Sequence, residues 1–313
     1  MPISVFFAAD PKLWPRYRAP LTEALAAAGL DAALSAAAPE DPASVDYMIV
    51  ANGGVVEDFA PYTGMKAVLN LWAGVDKLVG NPTLTRPLCK MVDPAMTESM
   101  VEYVTGHVLR HHLGMDRHIA NHSGEWLHHT APGLARSRGV TVLGLGELGC
   151  ACARMLACLN FRVTGWSRSP RSVPGILCLS GAEGLDRALA EAQILVLLLP
   201  FTAATENLLD AGAIARMPAG AMVINPARGA LIDDGALLAA LDSGHLAHAT
   251  LDVFRVEPLP ADHRFWAHPK VTVTPHIAAE THPETACLVI AENIRRAEAG
   301  EPLLHVVDRA RGY

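Results

Sequence analysis

Gly139 to Asn160 reads Gly-Val-Thr-Val-Leu-Gly-Leu-Gly-Glu-Leu-Gly-Cys-Ala-Cys-Ala-Arg-Met-Leu-Ala-Cys-Leu-Asn, and this stretch decides the fold. Val140 to Leu143 is a short apolar run rich in β-branched residues and bounded by glycines, the pattern of a buried strand. Gly144, Gly146 and Gly149 follow at G-x-G-x-x-G spacing. Leu148, Cys152, Met155 and Leu159 then recur at steps of four, three and four, which predicts the apolar face of a helix. A bare G-x-G-x-x-G is a weak signal. Between a strand and a helix it predicts dinucleotide binding, because the glycines allow a tight turn and bring the backbone close to a pyrophosphate at the helix N-terminus. Gly144, Leu145, Gly146, Glu147, Leu148 and Gly149 are therefore the first candidate cofactor residues.

Outward from this unit the chain repeats one theme. Strands are expected at 140–143, 162–166, 194–199, 221–225, 249–253 and 271–274, with helices or loops between them. Such alternation predicts a doubly wound parallel sheet, whose ligands bind at the carboxyl ends of the strands. Asp233 and Asp234 supply an N-cap for a helix that Gly244 ends. Before the glycine unit, Ser4–Phe7, Val45–Val50 and Lys66–Leu71 read as strands, and a helix through Leu21–Ala28 is stopped by Gly29. The later two strands end in Ala51-Asn52-Gly53-Gly54 and Trp72-Ala73-Gly74-Val75-Asp76, loops that bring backbone close to something small. A long helix from Ser99, with Val101, Val104, Val108 and Met115 on one face, links the two parts. The tail from Ala286 reads as a helix for which a βαβ domain has no use, so it is expected to pack on the first part. The expected fold class is α/β, with two Rossmann-like or flavodoxin-like lobes: 1–99 with 285–313, and a dinucleotide-binding domain at 100–284.

Composition bounds the function. The 313 residues are 51% hydrophobic and 18% charged, with a net charge of -7. That is enough apolar material for a large core, and the charge argues against a nucleic-acid surface. The longest apolar run, Ile194–Leu199, is too short to cross a bilayer, and the N-terminus lacks a basic signal region. Six cysteines without a C-x-x-C pair fit buried thiols in a reducing cytoplasm. His107 and His111 share a helix face, as do His118 and His122, but no acidic or cysteine partner sits at a useful spacing, and no metal is expected.

Polar residues gather at the expected strand ends. Arg228 stands there beside a glycine, His276 two strands further on, and Glu257 in the loop after Asp252. A dehydrogenase acting on a 2-oxo acid needs a cation for the carboxylate and carbonyl, which a guanidinium fork suits, and an acid near neutral pKa to protonate the oxygen. A carboxylate on the far ring nitrogen fixes the imidazole. Each residue has an ordinary alternative: a surface ion pair for Arg228, a turn for Glu257, a core position for His276. At the end of the second strand, Ser167-Arg168-Ser169-Pro170-Arg171 contains no acid to bind a ribose 2′-hydroxyl. Ser167, Ser169, Arg168 and Arg171 instead suit a 2′-phosphate, so NADPH is expected over NADH. Pro200, Thr205, Ala227, His276 and Ala278 complete the cofactor set, and Asp252 is expected to meet the nicotinamide carboxamide.

Gly144-Leu-Gly-Glu-Leu-Gly149, Asn225-Pro-Ala-Arg-Gly229, Leu251-Asp-Val-Phe254, Glu257-Pro-Leu-Pro260 and Thr274-Pro-His-Ile-Ala278 together resemble the D-2-hydroxyacid dehydrogenase family, most closely its bacterial glyoxylate/hydroxypyruvate reductase A type. The likeness runs from Ala73-Gly-Val-Asp76 to the final Val307-Asp-Arg-Ala-Arg-Gly-Tyr313. It implies Arg228, Glu257 and His276 as the catalytic set, and backbone amides at Ala73 and Gly74 as a cradle for the substrate carboxylate. It also implies a homodimer and a cleft between lobes that closes on ligand. The chain departs from that type at Ala51 and Trp72, where such reductases carry a tryptophan and a glycine. Trp72 is thus placed as a wall of the substrate pocket. The expected activity is NADPH-dependent reduction of glyoxylate or hydroxypyruvate. A bulkier D-2-hydroxy acid, or a cofactor-sensing regulatory role on the same fold, stays open.

Overall fold

The structure, a computed structural model, describes residues 2–51 and 54–312. Asn52 and Gly53, in the first of the two glycine-bearing loops, lie outside the described residues. The chain divides into two compact units, Met1–Met96 with Thr281–Tyr313, and Thr97–Glu280.

The first unit holds β1 (Ile3–Phe7), α1 (Trp14–Ala27), β2 (Ala32–Ser35), β3 (Tyr47–Val50), β4 (Ala67–Asn70), α2 (Asp76–Val79) and β5 (Leu88–Cys89). The strands form a parallel sheet in the order β2-β1-β3-β4-β5. β3 and β4 are buried along their whole length, as central parallel strands must be. The edge strands β2 and β5 are not visible in the sequence pattern. β2 is Ala-Ala-Leu-Ser, half-exposed and without a β-branched residue, and β5 has only two residues. Helix α1 starts at Trp14 rather than Leu21. Pro15 sits in the first turn, where no amide is needed, and Pro20 is accommodated inside the helix.

Helix α3 (Pro94–Leu113) starts at the end of the first unit's leading segment and lies mostly in the second, followed by α4 (Met115–Ile119). The expected single helix from Ser99 through Met115 is corrected at both ends. Asp93 accepts the amides of Ala95 and Met96, which starts the helix earlier, and Gly114, in the left-handed region at φ 64°, separates Met115 from it. Then come β6 (Gly139–Leu143), α5 (Glu147–Cys158), β7 (Arg162–Ser167), β8 (Leu177–Ser180), α6 (Gly181–Ala190), β9 (Ile194–Leu197), α7 (Ala211–Arg216), β10 (Ala221–Asn225), α8 (Asp234–Asp242), β11 (Leu246–Leu251), α9 (Arg264–Ala267) and β12 (Val271–Val273). They build a seven-stranded parallel sheet in the order β12-β11-β10-β9-β6-β7-β8. β8, Leu-Cys-Leu-Ser at the sheet edge, was not expected from the sequence. One apolar cluster, around Leu143, Leu197, Val223 and Leu241, covers one set of contacts of this sheet. A second gathers Val104 and Val108 of α3 with Val140, Val142, Cys152 and Leu156.

The buried face of α5 is Gly149, Cys152, Ala153 and Leu156. This corrects the expected face: Met155 is 41% exposed, and Leu159 lies past the helix as its C-cap. The small residues win that face because the helix packs closely on the sheet. After the second unit, α10 (Pro283–Glu298) returns to the first and packs on α1. Its Glu298 accepts from Tyr47 and Lys66, and the tail then pairs with β5 through Val307 N to Leu88 O.

Candidate active site

The glycine turn is shaped by three different needs. Gly144 has φ +108° and lies against Leu198. A Cβ on Gly149 would stand 1.7 Å from the carbonyl oxygen of Gly144, so helix and strand meet at van der Waals limits there. A Cβ on Gly146 would meet nothing within 4 Å. Gly146 is the N-cap of α5 and supplies no side-chain cap, so the first amides of the helix face outward without a side-chain partner. Its open side is space that a methyl group would fill, which fits a pyrophosphate drawn to the helix N-terminus. The strand order reverses at this point: β7 and β8 extend to one side of β6, and β9 to β12 to the other. Leu145 is buried, Leu148 half-buried and Glu147 exposed in the first turn.

At the end of β7, Arg168, Ser169 and Arg171 are exposed. Ser167 donates its hydroxyl to the carbonyl of Ser169 at 2.8 Å, so it shapes this turn rather than offering its proton outward. After β9, Thr205 donates to the Pro200 carbonyl at 2.8 Å and accepts the Thr202 amide at 2.8 Å, closing that loop on itself. Ala227 is buried, with its amide held by Asn225 Oδ1 at 3.1 Å.

The loops after β10, β11 and β12 bring three sequence candidates together. Asn225 also donates Nδ2 to the Arg228 carbonyl at 2.9 Å, and Arg228 Nη1 donates to the Ala227 carbonyl at 2.6 Å. The next residue, Gly229, presses on Phe254 so closely that a Cβ would stand 2.1 Å from its carbonyl carbon. This contact sets the Arg228 loop beside the Glu257 loop. Glu257 accepts the Phe254 amide on Oε1 at 2.8 Å and meets His276 Nδ1 with Oε2 at 2.7 Å. With a carboxylate accepting at Nδ1, that nitrogen carries the proton and Nε2 is the ring nitrogen left for chemistry. Burial pushes the Glu257 carboxyl upward. The hydrogen bonds from His276 and Phe254, with the nearby charges of His276 and Arg228, outweigh burial and hold it below the usual range.

His276 has φ +56°, a left-handed backbone that costs a non-glycine residue about 1–3 kcal/mol and persists only under constraint. Asp252 supplies the constraint. Its carbonyl accepts the His276 amide at 2.8 Å. Its carboxylate accepts Thr274 Oγ1 at 2.6 Å and the Ile277 amide at 3.0 Å on Oδ1, and the Ala278 amide at 2.9 Å on Oδ2. Asp252, expected to meet the nicotinamide, is 0% exposed, with both carboxylate oxygens engaged in the turn. Tyr103 on α3 reaches Thr274 Oγ1 at 2.7 Å. Sequence reasoning assigned Tyr103 and Thr274 no role.

In the first unit, the loop after β4 is tied down by its carbonyls. Asn70 donates Nδ2 to Trp72 O at 2.7 Å and to Gly74 O at 2.8 Å, Met91 N donates to Trp72 O, and Thr281 Oγ1 to Leu71 O. With the carbonyls drawn inward, the amides of Ala73 and Gly74 donate to no acceptor among the described residues. Successive outward amides of this kind make an anion-binding concavity. Asn70 is another residue the sequence did not single out. Trp72 is half-buried beside these amides.

Of the α3 histidines, His111 reaches the sheet at β11. His111 Nε2 lies 3.0 Å from Thr250 Oγ1, and His248 Nε2 lies 2.9 Å from Thr272 Oγ1. Burial drives His111 down to about 3 and His248 down to about 4. His118 Nε2 approaches Thr130 Oγ1. Among the described residues no helix is long and apolar enough to cross a membrane.

The family model "D-isomer specific 2-hydroxyacid dehydrogenase, NAD binding domain" matches residues 105–278. The glyoxylate/hydroxypyruvate reductase A of Serratia proteamaculans (strain 568) is 39% identical over 283 residues, 88% of this chain and 90% of that protein. A crystal structure of a D-isomer specific 2-hydroxyacid dehydrogenase from Xanthobacter autotrophicus Py2, in complex with NADPH and MES, superposes with a TM-score of 0.92 at 42% identity, covering 100% of both chains. The NADPH-dependent glyoxylate/hydroxypyruvate reductase of Sinorhizobium meliloti, with NADP and sulfate, gives 0.87 at 33% identity over 99% of this chain and 100% of that one. The glycine turn, the loops at the carboxyl strand ends and these likenesses lead to one assignment: the chain belongs to the D-isomer specific 2-hydroxyacid dehydrogenase family.

Proposed function

We propose that the protein reduces small 2-oxo acids to 2-hydroxy acids, with glyoxylate and hydroxypyruvate as substrates and NADPH as reductant. The observation that carries this reading is the Glu257–His276 pair, 2.7 Å apart, whose geometry leaves Nε2 as the nitrogen for proton donation. The relatives named for this reaction and the neighbours holding NADPH or NADP support it. When bound, NADPH would supply the hydride for C2 of the substrate. His276 gives the proton to the carbonyl oxygen, and Glu257 holds the ring and stabilises the imidazolium before that transfer. Arg228 binds the substrate's oxygens with its fork and stabilises the negative charge that grows on the carbonyl oxygen. The Ala73 and Gly74 amides take the carboxylate, and Trp72 limits the length of the substrate.

Gly144 to Gly149 would hold the pyrophosphate, and Arg168, Ser169 and Arg171 the 2′-phosphate. Thr97–Glu280 is accordingly the dinucleotide-binding part and the remainder the substrate-binding part. We assign a homodimer. Trp126, Ile119, Leu134 and Met115 are 86%, 64%, 60% and 43% exposed within one stretch, an apolar surface suited to a second copy. Six free cysteines suit a cytoplasmic setting.

The test is a panel of 2-oxo acids assayed with NADPH and with NADH. Glyoxylate or hydroxypyruvate with NADPH should give the highest kcat/KM, and His276→Ala should lower kcat by roughly 10²–10⁴-fold while NADPH still binds. No turnover on any 2-oxo acid, or a His276→Ala variant with normal kcat, would overturn the reading.

A further inference from the structure

We propose that Tyr103 is a positioning residue for His276, acting from α3 through the hydroxyl of Thr274 and the carboxylate of Asp252. The inference rests on the reading of His276 as proton donor, but it concerns a group that touches neither substrate nor cofactor in that reading. The directions of the bonds follow from the available protons. Asp252 accepts two amides, one on each carboxylate oxygen, so the Thr274 hydroxyl, 2.6 Å from Oδ1, donates to it as well. A hydroxyl has one proton, so the contact at 2.7 Å between Tyr103 and Thr274 is one in which tyrosine donates. The series runs Tyr103 O–H to Thr274 O–H to Asp252, and each bond polarises the next.

What Asp252 does with that fixed carboxylate matters for His276. Two of its bonds go to the amides of Ile277 and Ala278, directly after His276, and its own carbonyl takes the His276 amide. These hold His276 at φ +56°, and the imidazole is thereby set 2.7 Å from Glu257. Thr274 lies just past β12, two residues from Thr272, which accepts Arg110 Nη2 at 2.9 Å. Helix α3 therefore grips the same strand end at two points one heptad apart. The Tyr103 ring is itself steadied by His107, with ring centroids 4.5 Å apart. Burial pushes the Tyr103 hydroxyl upward, so it stays a donor across working pH.

Tyr103→Phe removes only the donor. Loss of one hydrogen bond at this remove should lower kcat for glyoxylate about three- to tenfold. KM, the Kd for NADPH and the urea midpoint should stay near those of the unaltered protein. In a Thr274→Val background, adding Tyr103→Phe should change kcat no further, since the link is already cut. A second readout does not depend on turnover: the strongly deshielded Nδ1–H proton of His276, assigned by its loss in His276→Gln, should move upfield or broaden in Tyr103→Phe. An unchanged kcat together with an unchanged resonance overturns the proposal, as does a full further loss in the Thr274→Val background. If the unaltered protein reduces no 2-oxo acid, the proposed function fails, and the resonance still decides whether Tyr103 holds the His276–Glu257 pair.

Discussion

Gly146 and Gly149 belong to one motif, yet the structure gives them opposite vulnerabilities. In Gly146→Ala the new methyl group meets nothing within 4 Å, and the backbone at φ -78° and ψ -166° is open to alanine. Stiffening the unfolded chain stabilises by about 0.4–1 kcal/mol. Alanine's weakness as an N-cap offsets about as much, so the unfolding free energy should stay within ~1 kcal/mol of its starting value. The methyl does occupy the space before the first amides of α5. Losing two charge-assisted hydrogen bonds to a pyrophosphate should cost about 2–4 kcal/mol, or roughly thirty- to a thousandfold in Kd. In Gly149→Ala the Cβ would stand 1.7 Å from backbone oxygen, which neither helix nor strand can relieve by turning a side chain. That variant should lose about 3 kcal/mol of stability. Urea unfolding without cofactor, paired with titration by NADPH, separates the two. A Gly146→Ala protein that binds NADPH as tightly as the original, or that loses as much stability as Gly149→Ala, would refute the reasoning.

The other predictions concern charge and shape. His111 stays neutral in the folded state down to about pH 3 but protonates near 6.5 when unfolded. Stability is therefore full above pH 6.5 and falls with pH below it, by about 2 kcal/mol from this residue between pH 6.5 and 5. Urea unfolding at both pH values should show that loss shrink by this amount in His111→Gln, and identical losses would exclude the histidine as its source. The double variant Arg168→Ala with Arg171→Ala should weaken NADPH by roughly ten- to a hundredfold and NADH by far less; equal effects on the two cofactors would remove the 2′-phosphate from this turn. Trp72→Ala should raise kcat/KM for longer 2-oxo acids relative to glyoxylate, and a flat profile would leave the indole a packing residue.

The sequence was most readable where one physical demand dominated. Buried parallel strands such as β6, β9 and β10 announce themselves as largely apolar runs, and Gly144 and Gly149 after β6 mark positions where a side chain does not fit. Edge strands β2 and β8 stayed hidden because a half-exposed strand needs no apolar run. Arg228, Glu257 and His276 stood out as charged residues at apolar strand ends, and the loops do bring Glu257 and His276 into contact. Asp252 stood out as well, but for a contact with the nicotinamide and not for holding the His276 turn. Thr274 and Tyr103 behind that turn, and Asn70 in the loop after β4, act through hydrogen bonds to partners distant in sequence or to backbone atoms, and neither leaves a periodic trace.

The return of α10 to the first unit bears on how the chain is made. Thr97–Glu280 is, in effect, an insertion within another domain: its sheet is complete before residue 281 is reached. The first unit must wait. Leu88, Lys90, Tyr47 and Lys66 each gain a partner in His305, Val307 or Glu298, residues made after the second unit. During synthesis the second unit can close while the first still lacks the helix that covers α1. The face of α1 that α10 covers is thus buried only after the second unit has been made, and a chain cut before Pro283 would leave it uncovered.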